Sequence, residues 1–437
     1  MERLASTTLI LFGISGDLSK RKVLPSLIHL YEKDLLPPNF HIVGISRRDI
    51  TLDAIFKDFS KNFYSELLNR FKNICEIIKL NVDDIHDFEK LDIKLNIIDK
   101  DHNKNERIFY LSVPPDTLLN LIESLGSTQR SSSRKNITTK LIFEKPFGTN
   151  LYSAQNLIAK TAHYYTDDEV YHIDHYLAKQ MVQNILIWKE KYGEFQKYLS
   201  GHTIKKIEIL SLESIGVEGR ADFYNHTGAL RDLVQSHLLE VLALFINKPN
   251  LSRESALREL ALDLKSIKRG QYKGYRDEIN DSTSLTETFA QTGFYSNNTV
   301  WENVEFLLIT GKAIDKKSFQ INLYDKNNNC TISIQMQPQP EVRYSLKLPE
   351  NLLEDLKNID TDILEQNSNY EDHELLLLDI FKGKKDLFLS NEEILLSWKL
   401  IDPIIERWSH QTNDLFIYDK GSNLIEINKI YENSQNK

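Results

Sequence analysis

The chain has 437 residues, of which 41% are hydrophobic, and its formal net charge is −9 at pH 7. This length suits two or three domains with substantial cores. The negative charge argues against general nucleic-acid binding, so an anionic ligand would need local clusters of basic residues. No apolar run reaches the ~18 residues of a membrane span, and the first residues have no signal-peptide anatomy. Cys75 and Cys330 lack metal-ligand spacing, which favours a reducing cytoplasm and no zinc site.

A strand, a glycine turn and a helix are predicted in succession near the N-terminus. Residues 8–12 form a continuous apolar run, as expected of a strand buried on both faces of a parallel sheet. Gly13 and Gly16 follow in a G-x-x-G pattern, and residues 24–31 have amphipathic helical spacing. A glycine turn in this context can bind a phosphate, because amides at the helix start face the anion. A tight turn without a ligand is the alternative.

The second predicted strand, residues 41–46, is followed by Arg47 and Arg48. In a dinucleotide-binding fold the end of this strand meets the adenosine ribose. An acidic residue there favours NAD, and an arginine favours the 2′-phosphate of NADP. We therefore predict NADP, with Arg47 as the contact. A solvated arginine pair after a strand is the alternative.

Two further buried strands are predicted at residues 107–113 and 139–143, after a largely helical region at 50–105. The second strand ends at Lys145, which precedes a proline. Ligands of open α/β sheets bind at the carboxyl ends of the strands. Lys145 is therefore predicted to contact both cofactor and substrate, although a surface lysine is the default at such a position.

Residues 171–180 carry two histidines, a carboxylate, a phenol and a lysine. We expect a helix to begin near Asp174, which would place His175 and Lys179 on one face as a clamp for a phosphate dianion. Asp174 could then cap the helix or orient a base elsewhere. An ordinary polar helix start with ion pairs facing water is the alternative.

A second candidate site lies in residues 204–239, which read as a strand, a glycine-punctuated loop and a helix from Gly228. The apolar residues of this helix have helical spacing, and Asp232 and His237 fall outside that set. A histidine at a helix edge is usually structural or solvated. Beside a nucleotide fold and a second Asp–His pair, His237 becomes a candidate general base.

These motifs together resemble the glucose-6-phosphate dehydrogenase family. They cover nearly the whole chain and keep the family's order and spacing. The matching segments are GISGDLSKRKVLPSL (13–27), YLSVPP (110–115), EKPFG (144–148), IDHYLAK (173–179), ESIGVEGRADFY (213–224), GALRDLVQSHLLE (228–240), RGQY (269–272), TETFA (286–290), TGKAI (310–314) and GKKDLFLSNEE (383–393).

The resemblance implies an α/β Rossmann-type domain for NADP in residues 1–175. A larger α+β domain in residues 176–437 would carry an extended, mostly antiparallel sheet for substrate binding and for assembly into a homodimer or homotetramer. The implied reaction oxidises D-glucose 6-phosphate to 6-phospho-D-glucono-1,5-lactone with hydride transfer to NADP⁺. This is the first step of the oxidative pentose phosphate pathway.

The resemblance also assigns roles to individual residues. His237 is expected to be the catalytic base, and Asp174 the carboxylate that orients it. The expected substrate-binding residues are Lys145, His175, Tyr176, Lys179, Glu213, Asp232, Lys312 and Lys317. The expected NADP-binding residues are Gly13, Ser15, Gly16, Asp17, Leu18, Lys20, Arg47, Tyr110 and Lys145. No metal is expected, since hydride transfer needs a base, a bound substrate and a nicotinamide.

The chain departs from the family pattern at several positions, none of which is assigned to proton or hydride transfer. Gln180, Ser236, Asn225 and Ile309 replace the usual Glu, Asn, Asp and Arg, and residues 188–191 replace Arg-Phe-Ala-Asn. Two alternatives stay open. One is a related sugar or sugar-phosphate dehydrogenase with altered specificity, and the other is a non-catalytic homologue with a binding role.

Overall fold

The computed structural model describes residues 5–100, 105–131, 137–247, 251–365, 370–411 and 413–435. The strands in these ranges are β1 (Ser6–Phe12), β2 (His41–Ser46), β3 (Cys75–Lys79), β4 (Asn105–Leu111), β5 (Ile137–Phe143), β6 (Val170–Ile173), β7 (Ile204–Leu212), β8 (Leu260–Tyr272), β9 (Phe289–Ser296), β10 (Glu305–Gly311), β11 (Ser318–Asp325), β12 (Cys330–Gln337), β13 (Glu341–Tyr344), β14 (Phe388–Leu389) and β15 (Leu415–Tyr418).

The α-helices in the same ranges are α1 (Leu24–Glu32), α2 (Leu52–Phe56), α3 (Ser65–Lys72), α4 (Ile85–Asp99), α5 (Pro115–Ser131), α6 (Leu151–Tyr164), α7 (Gln180–Lys191), α8 (Gly193–Tyr198), α9 (Ala221–Ala229), α10 (Leu239–Ile246), α11 (Arg253–Glu259), α12 (Tyr275–Glu278), α13 (Glu350–Glu365), α14 (Asp372–Phe381), α15 (Asn391–His410) and α16 (Leu424–Gln435). Ser19–Val23 and Leu230–Leu238 are π-helical. Among the described helices, none has the length and apolar character needed to cross a membrane.

The chain forms two compact units. The first comprises Met1–Gly148, Tyr152–Ala178 and Asn369–Ile394, and the second comprises Thr149–Leu151, Lys179–Ser368 and Leu395–Lys437. The predicted boundary at residue 175 lies close to the break after Ala178. However, the prediction placed the whole of residues 176–437 in the second domain, whereas the structure groups 369–394 with the first unit.

Specific contacts explain why the late segment joins the first unit. Strand β14 pairs antiparallel with β6 at the edge of the sheet. The buried Glu374 of α14 accepts hydrogen bonds from His29 Nδ1 at 2.8 Å and Lys33 Nζ at 3.0 Å, both on or beside α1. Lys385 donates to the carbonyl oxygen of Asp167 at 2.9 Å. These partners lie more than 200 residues apart in sequence, beyond the reach of local patterns.

The first unit is built on a seven-stranded sheet with the order β14-β6-β5-β4-β1-β2-β3 among the described residues. Strands β1 to β6 are parallel. The order 3-2-1-4-5-6 is that of a doubly wound dinucleotide-binding fold, whose switch point lies between β1 and β4. Leu9 and Leu11 of β1 are fully buried in the same core as Leu27 of α1. The predicted Rossmann-type fold class is confirmed.

The second unit is built on an eight-stranded sheet with the order β13-β12-β11-β7-β10-β9-β8-β15 in the described part of the chain. The β7–β10 and β8–β15 pairs are parallel, and the other five pairs are antiparallel. The predicted α+β domain with a mostly antiparallel sheet is therefore confirmed.

One predicted element was wrong within the first unit. The region 50–105 was expected to be helical, but β3 crosses it and pairs in parallel with β2. Only Cys75 of this strand is buried, and the following positions are half-buried or exposed. An edge strand that is not covered on both faces lacks the continuous apolar run that marked the other parallel strands.

Candidate active site

A cleft of about 270 Å³ lies in the first unit at the carboxyl ends of β1, β2 and β4. Gly13, Ser15 and Gly16 line it together with Arg47 and Ser112. This is the position at which doubly wound sheets bind dinucleotides. Four of the predicted cofactor-binding residues are thus brought together here.

The glycine turn closes tightly on itself and on the neighbouring strand. Gly13 has φ +77°, and a Cβ there would lie 2.1 Å from the carbonyl oxygen of Ser112. The carbonyl oxygen of Gly13 accepts from the Gly16 amide and from Ser19 Oγ, both at 2.8 Å. Only glycine fits such a backbone approach without strain. In dinucleotide-binding folds, phosphates bind where such a turn leads into a helix start.

The other residues of the predicted loop have different surroundings. Asp17 is exposed and forms an ion pair with Arg21 at 3.4 Å. Leu18 packs against the apolar core. The Lys20 amide donates to Gly16 O at 3.1 Å, which continues the chain into the first π-helical segment. Arg47 is exposed where β2 ends.

Lys145 and Asp174 form an ion pair of 2.8 Å within the first unit. Asp174 is fully buried, and its other carboxylate oxygen accepts from the Tyr176 amide at 2.8 Å. Lys145 follows β5, as predicted for a residue at a strand end. The pair fixes the lysine Nζ atom at the edge of the sheet that binds ligands in this fold.

Tyr110 belongs to a buried network that the sequence did not reveal. Its hydroxyl donates a short hydrogen bond to Glu144 Oε1 and lies 3.2 Å from His373 Nε2. Desolvation raises the pKa of Glu144 to about 7, against the opposing hydrogen bond from Tyr110. Burial also lowers the pKa of His373 to about 4. Glu144 directly precedes Lys145 in the quoted EKPFG motif, which was the available signal.

The expectation of a helix beginning near Asp174 was wrong. Residues 175–178 form turns after β6, and α7 begins at Gln180, with Lys179 in an extended conformation as its N-cap. Asp174 uses its carboxylate to accept from the Tyr176 amide, which gives the backbone an alternative to helix. His175 and Lys179 therefore do not share a helical face. His175 is exposed, with its ring 5.0 Å from that of Tyr176.

In the second unit, the π-helix Leu230–Leu238 carries Asp232 and His237. The Ser236 hydroxyl donates to the carbonyl oxygen of Arg231 at 2.7 Å, and π-helical stretches are frequent at functional sites. His237 is buried, with 7% of its surface exposed. Desolvation raises the pKa of Asp232, while the nearby Lys312, Arg220 and His237 oppose that rise. The Arg220 Nη2 and Asp232 Oδ1 atoms lie 3.9 Å apart.

Glu213 and Lys312 form a short ion pair at the ends of β7 and β10 in the second unit. The backbone of Lys312 is bonded on both sides. Its amide donates to Thr288 O at 2.9 Å, and its carbonyl oxygen accepts from the Tyr418 hydroxyl at 2.7 Å. Sequence reasoning missed Thr288 and Tyr418, because their role depends on strand pairing.

The second unit thus brings Glu213, His237 and Lys312 close enough to Asp232 that each of them influences the pKa of that carboxyl group. Lys179 also belongs to this unit, and its Nζ lies 4.8 Å from the Phe319 ring centroid. Lys317 is exposed just before β11. A histidine can take a hydroxyl proton, the partly buried carboxylates can accept hydrogen bonds from hydroxyl groups and the lysine can donate to them, so this set can hold a polyhydroxylated ligand.

Two family models match the chain in succession. One is described as "Glucose-6-phosphate dehydrogenase, NAD binding domain" and matches residues 10–184. The other is described as "Glucose-6-phosphate dehydrogenase, C-terminal domain" and matches residues 192–429. With the observed strand order, the first match identifies the first unit as a nicotinamide-dinucleotide-binding domain.

Individual proteins show the same similarity. Glucose-6-phosphate 1-dehydrogenase of Chlamydia muridarum (strain MoPn / Nigg) is 30% identical over 461 residues, covering 92% of this chain and 90% of that protein. The chloroplastic enzyme of Solanum tuberosum is 29% identical over 469 residues, covering 95% and 80%. A solved glucose-6-phosphate dehydrogenase in complex with its substrate superposes with a TM-score of 0.85 at 24% identity, covering 99% of both chains, which shows the common fold.

Proposed function

We propose that this chain, which belongs to the glucose-6-phosphate dehydrogenase family, oxidises D-glucose 6-phosphate at C1 to 6-phospho-D-glucono-1,5-lactone and transfers the hydride to NADP⁺. The observation that carries the proposal is the buried His237 on a π-helix beside Asp232, with the Glu213–Lys312 pair at neighbouring strand ends. Family membership over both units supplies the reaction class.

His237 acts as the base in this proposal and removes the proton from the C1 hydroxyl. A histidine is suited to this step because its ordinary pKa lies near neutrality. The nicotinamide, when bound, accepts the C1 hydride. Asp174 is proposed to stabilise the protonated base, and this role rests on the family resemblance.

Substrate binding is assigned to charged groups that the folded chain already orients. Glu213 and Asp232 accept hydrogen bonds from sugar hydroxyls, and Lys312, fixed by its ion pair with Glu213, donates to them. His175, Tyr176 and Lys179 are proposed to bind the phosphate, and Lys317 to close over the substrate. Binding of the phosphate, which does not react, then orients C1.

NADP is preferred over NAD in this proposal because β2 ends at two exposed arginines. Arg47 lines the cofactor cleft and would pair with the 2′-phosphate. Gly13, Ser15 and Gly16 would hold the pyrophosphate through backbone amides. A Cβ at Gly13 would lie 2.1 Å from the Ser112 carbonyl oxygen, so the turn proposed to face the pyrophosphate needs glycine at this position.

We also propose a homodimer or homotetramer that assembles through the eight-stranded sheet. Leu264, Tyr295 and Ile417 are each about half exposed on the adjacent strands β8, β9 and β15. Light scattering coupled to gel filtration measures the assembly.

The free cysteines support the proposal of a reducing, cytoplasmic location.

The test is reduction of NADP⁺ followed by absorbance, with glucose 6-phosphate and separately with glucose. Activity with the phosphorylated sugar alone supports both the reaction and the phosphate clamp. Activity with glucose alone, or equally with both, would indicate a related dehydrogenase with altered specificity. Folded protein that binds NADP⁺ and oxidises neither sugar would be a non-catalytic homologue.

A further inference from the structure

The helix that carries His237 is continuous over 17 residues, from Leu230 to Ile246, because the π-helical segment runs directly into α10. His237 lies near its middle. Its position therefore depends on how the two ends of the helix are held. Helix ends leave several backbone amides and carbonyls without partners inside the helix. Both ends of this helix meet buried charged side chains.

Glu287 holds the N-terminal end. Its Oε1 accepts from the Leu230 amide at 2.9 Å, and its carbonyl oxygen accepts from the Ala229 amide at 3.0 Å. A Cβ at Gly228 would lie 2.4 Å from Glu287 Oε1, so the residue before the helix must be small. Glu287 is buried, at 6% exposure. A carboxylate at a helix N-terminus has the favourable sign for the helix dipole.

Lys189 of α7 holds the C-terminal end. Its Nζ donates to the carbonyl oxygens of Leu244 at 3.1 Å and Phe245 at 2.9 Å, and makes a shorter bond to that of Asn247. Trp301 Nε1 donates to the remaining carbonyl, that of Ile246, at 2.9 Å. Lys189 is 5% exposed, and burial lowers its pKa to about 8. A cation at a helix C-terminus again has the favourable sign.

We infer that Glu287 and Lys189 are positioning residues for the catalytic base, which fix the helix along its axis and so place His237 for proton removal. The inference rests on the proposed function, in which His237 is the base. Neither residue has an assigned role. Glu287 lies in the TETFA motif, and Lys189 lies in the stretch where the chain departs from its family.

Apolar side chains at these two positions would leave the Leu230 amide and the Leu244 and Phe245 carbonyls without these partners. Charged hydrogen bonds to helix termini instead define direction and distance. A displacement of the base by about 1 Å can lower the rate of a positioned reaction about 100-fold. The expected signature is therefore a slower chemical step in enzyme that is still folded.

The experiment compares Lys189→Met, Lys189→Arg and Glu287→Gln with wild type in the full-length protein. Each is assayed with glucose 6-phosphate and with the same substrate deuterated at C1, and its folding is checked by circular dichroism. Lys191→Met serves as the control on the same helix, because Lys191 instead forms an exposed ion pair with Asp362. Glu305→Gln, at the exposed start of β10, is the control for Glu287.

We expect Lys189→Met to lower kcat roughly 10–100-fold and to raise the deuterium isotope effect on kcat, because hydride transfer becomes rate-limiting. Lys189→Arg should keep kcat within about threefold of wild type, since it retains a charged donor. Glu287→Gln should lower kcat and raise the isotope effect, as Lys189→Met does, but by less. A merely inactive fraction would lower kcat without changing the isotope effect.

An unchanged isotope effect in both Lys189→Met and Glu287→Gln, with active wild type, would overturn the positioning role and leave the proposed function standing. Wild-type protein that does not oxidise glucose 6-phosphate would overturn both. If Lys189→Met fails to fold, Glu287→Gln decides the question: an isotope effect equal to that of wild type would reject the inference.

Discussion

The candidate ligand sites of the two units differ in whether backbone atoms or side chains form them. In the first unit, the cofactor cleft is lined by a glycine turn in which the Gly13 carbonyl oxygen accepts from the Gly16 amide and from the Ser19 hydroxyl. In the second unit, the candidate base His237 and the candidate substrate-binding residues Glu213, Asp232 and Lys312 act through their side chains. These four residues span 100 residues of sequence and lie at two strand ends and on one helix.

This difference determines what a substitution can change. A backbone-built site tolerates exchange of side chains but not the addition of a Cβ where the chain folds closely on itself. A side-chain-built site keeps its fold when one functional atom is removed, and loses the step which that atom performs. The following predictions test the contrast, from the largest expected effect to the smallest.

His237→Asn should lower kcat roughly 1,000-fold, because general base catalysis commonly contributes ~10²–10⁴ in rate. Binding of glucose 6-phosphate, measured by calorimetry, should change less than about threefold. His202→Asn, an exposed histidine of the same unit, is the control. A variant with near wild-type turnover would remove His237 from the role of base.

Gly13→Ala should weaken NADP⁺ binding about 100-fold, because a Cβ would meet the Ser112 carbonyl in a backbone conformation with positive φ. Fluorescence titration measures the dissociation constant. Gly193→Ala, where a Cβ has no neighbour within 4 Å, should bind normally. Equal affinities of the two variants for NADP⁺ would show that cofactor binding does not depend on the close approach of Gly13 to the Ser112 carbonyl.

Lys179→Ala should raise the KM for glucose 6-phosphate about 10–30-fold with a smaller change in kcat, since the lost interaction would be to the phosphate, which does not react. Steady-state kinetics at saturating NADP⁺ give both constants. The exposed Lys205 provides the matched Lys205→Ala control. An unchanged KM would reject the phosphate-binding assignment.

Arg47→Ala should raise the KM for NADP⁺ about 10-fold and leave that for NAD⁺ nearly unchanged, because only NADP⁺ carries the 2′-phosphate. The ratio of kcat/KM values for the two cofactors measures the effect. Arg70→Ala, an exposed arginine in the first unit, is the comparison. Higher efficiency of the wild-type enzyme with NAD⁺ would contradict the NADP preference.

Glu144→Gln should change how stability depends on pH. The folded pKa of Glu144, about 7, lies above its ordinary value of 4.5, so its ionisation lowers folding stability as pH rises from about 5 to 7. The variant cannot ionise at this position. Its free energy of unfolding, compared with that of wild type, should therefore increase by ~1–3 kcal/mol between pH 5 and pH 8, which corresponds to a rise of a few degrees in Tm. Glu32→Gln, an exposed control, should show no such trend.

Local patterns predicted the parallel sheet and the glycine turn, because buried strands and positive-φ turns leave their marks within a few residues. They did not predict β3, whose edge position leaves it partly exposed. They wrongly predicted a helix over residues 174–179. The Asp174 carboxylate accepts a hydrogen bond from the Tyr176 amide, and this local bond stabilises a turn in place of a helix. The Tyr110–Glu144–His373 network and the hydrogen bond from Tyr418 to the Lys312 carbonyl could not be predicted from sequence, because each joins distant segments.

The late segment with α14 and β14 has a consequence for synthesis on the ribosome. The first unit lacks its last strand, and His29 and Lys33 lack Glu374, until about nine-tenths of the chain has emerged. Until then, the edge of β6 presents unpaired backbone groups, which favour pairing with other chains. Although the cofactor domain is encoded first, this sheet edge is therefore open to such pairing while all the residues between β6 and β14 are synthesised.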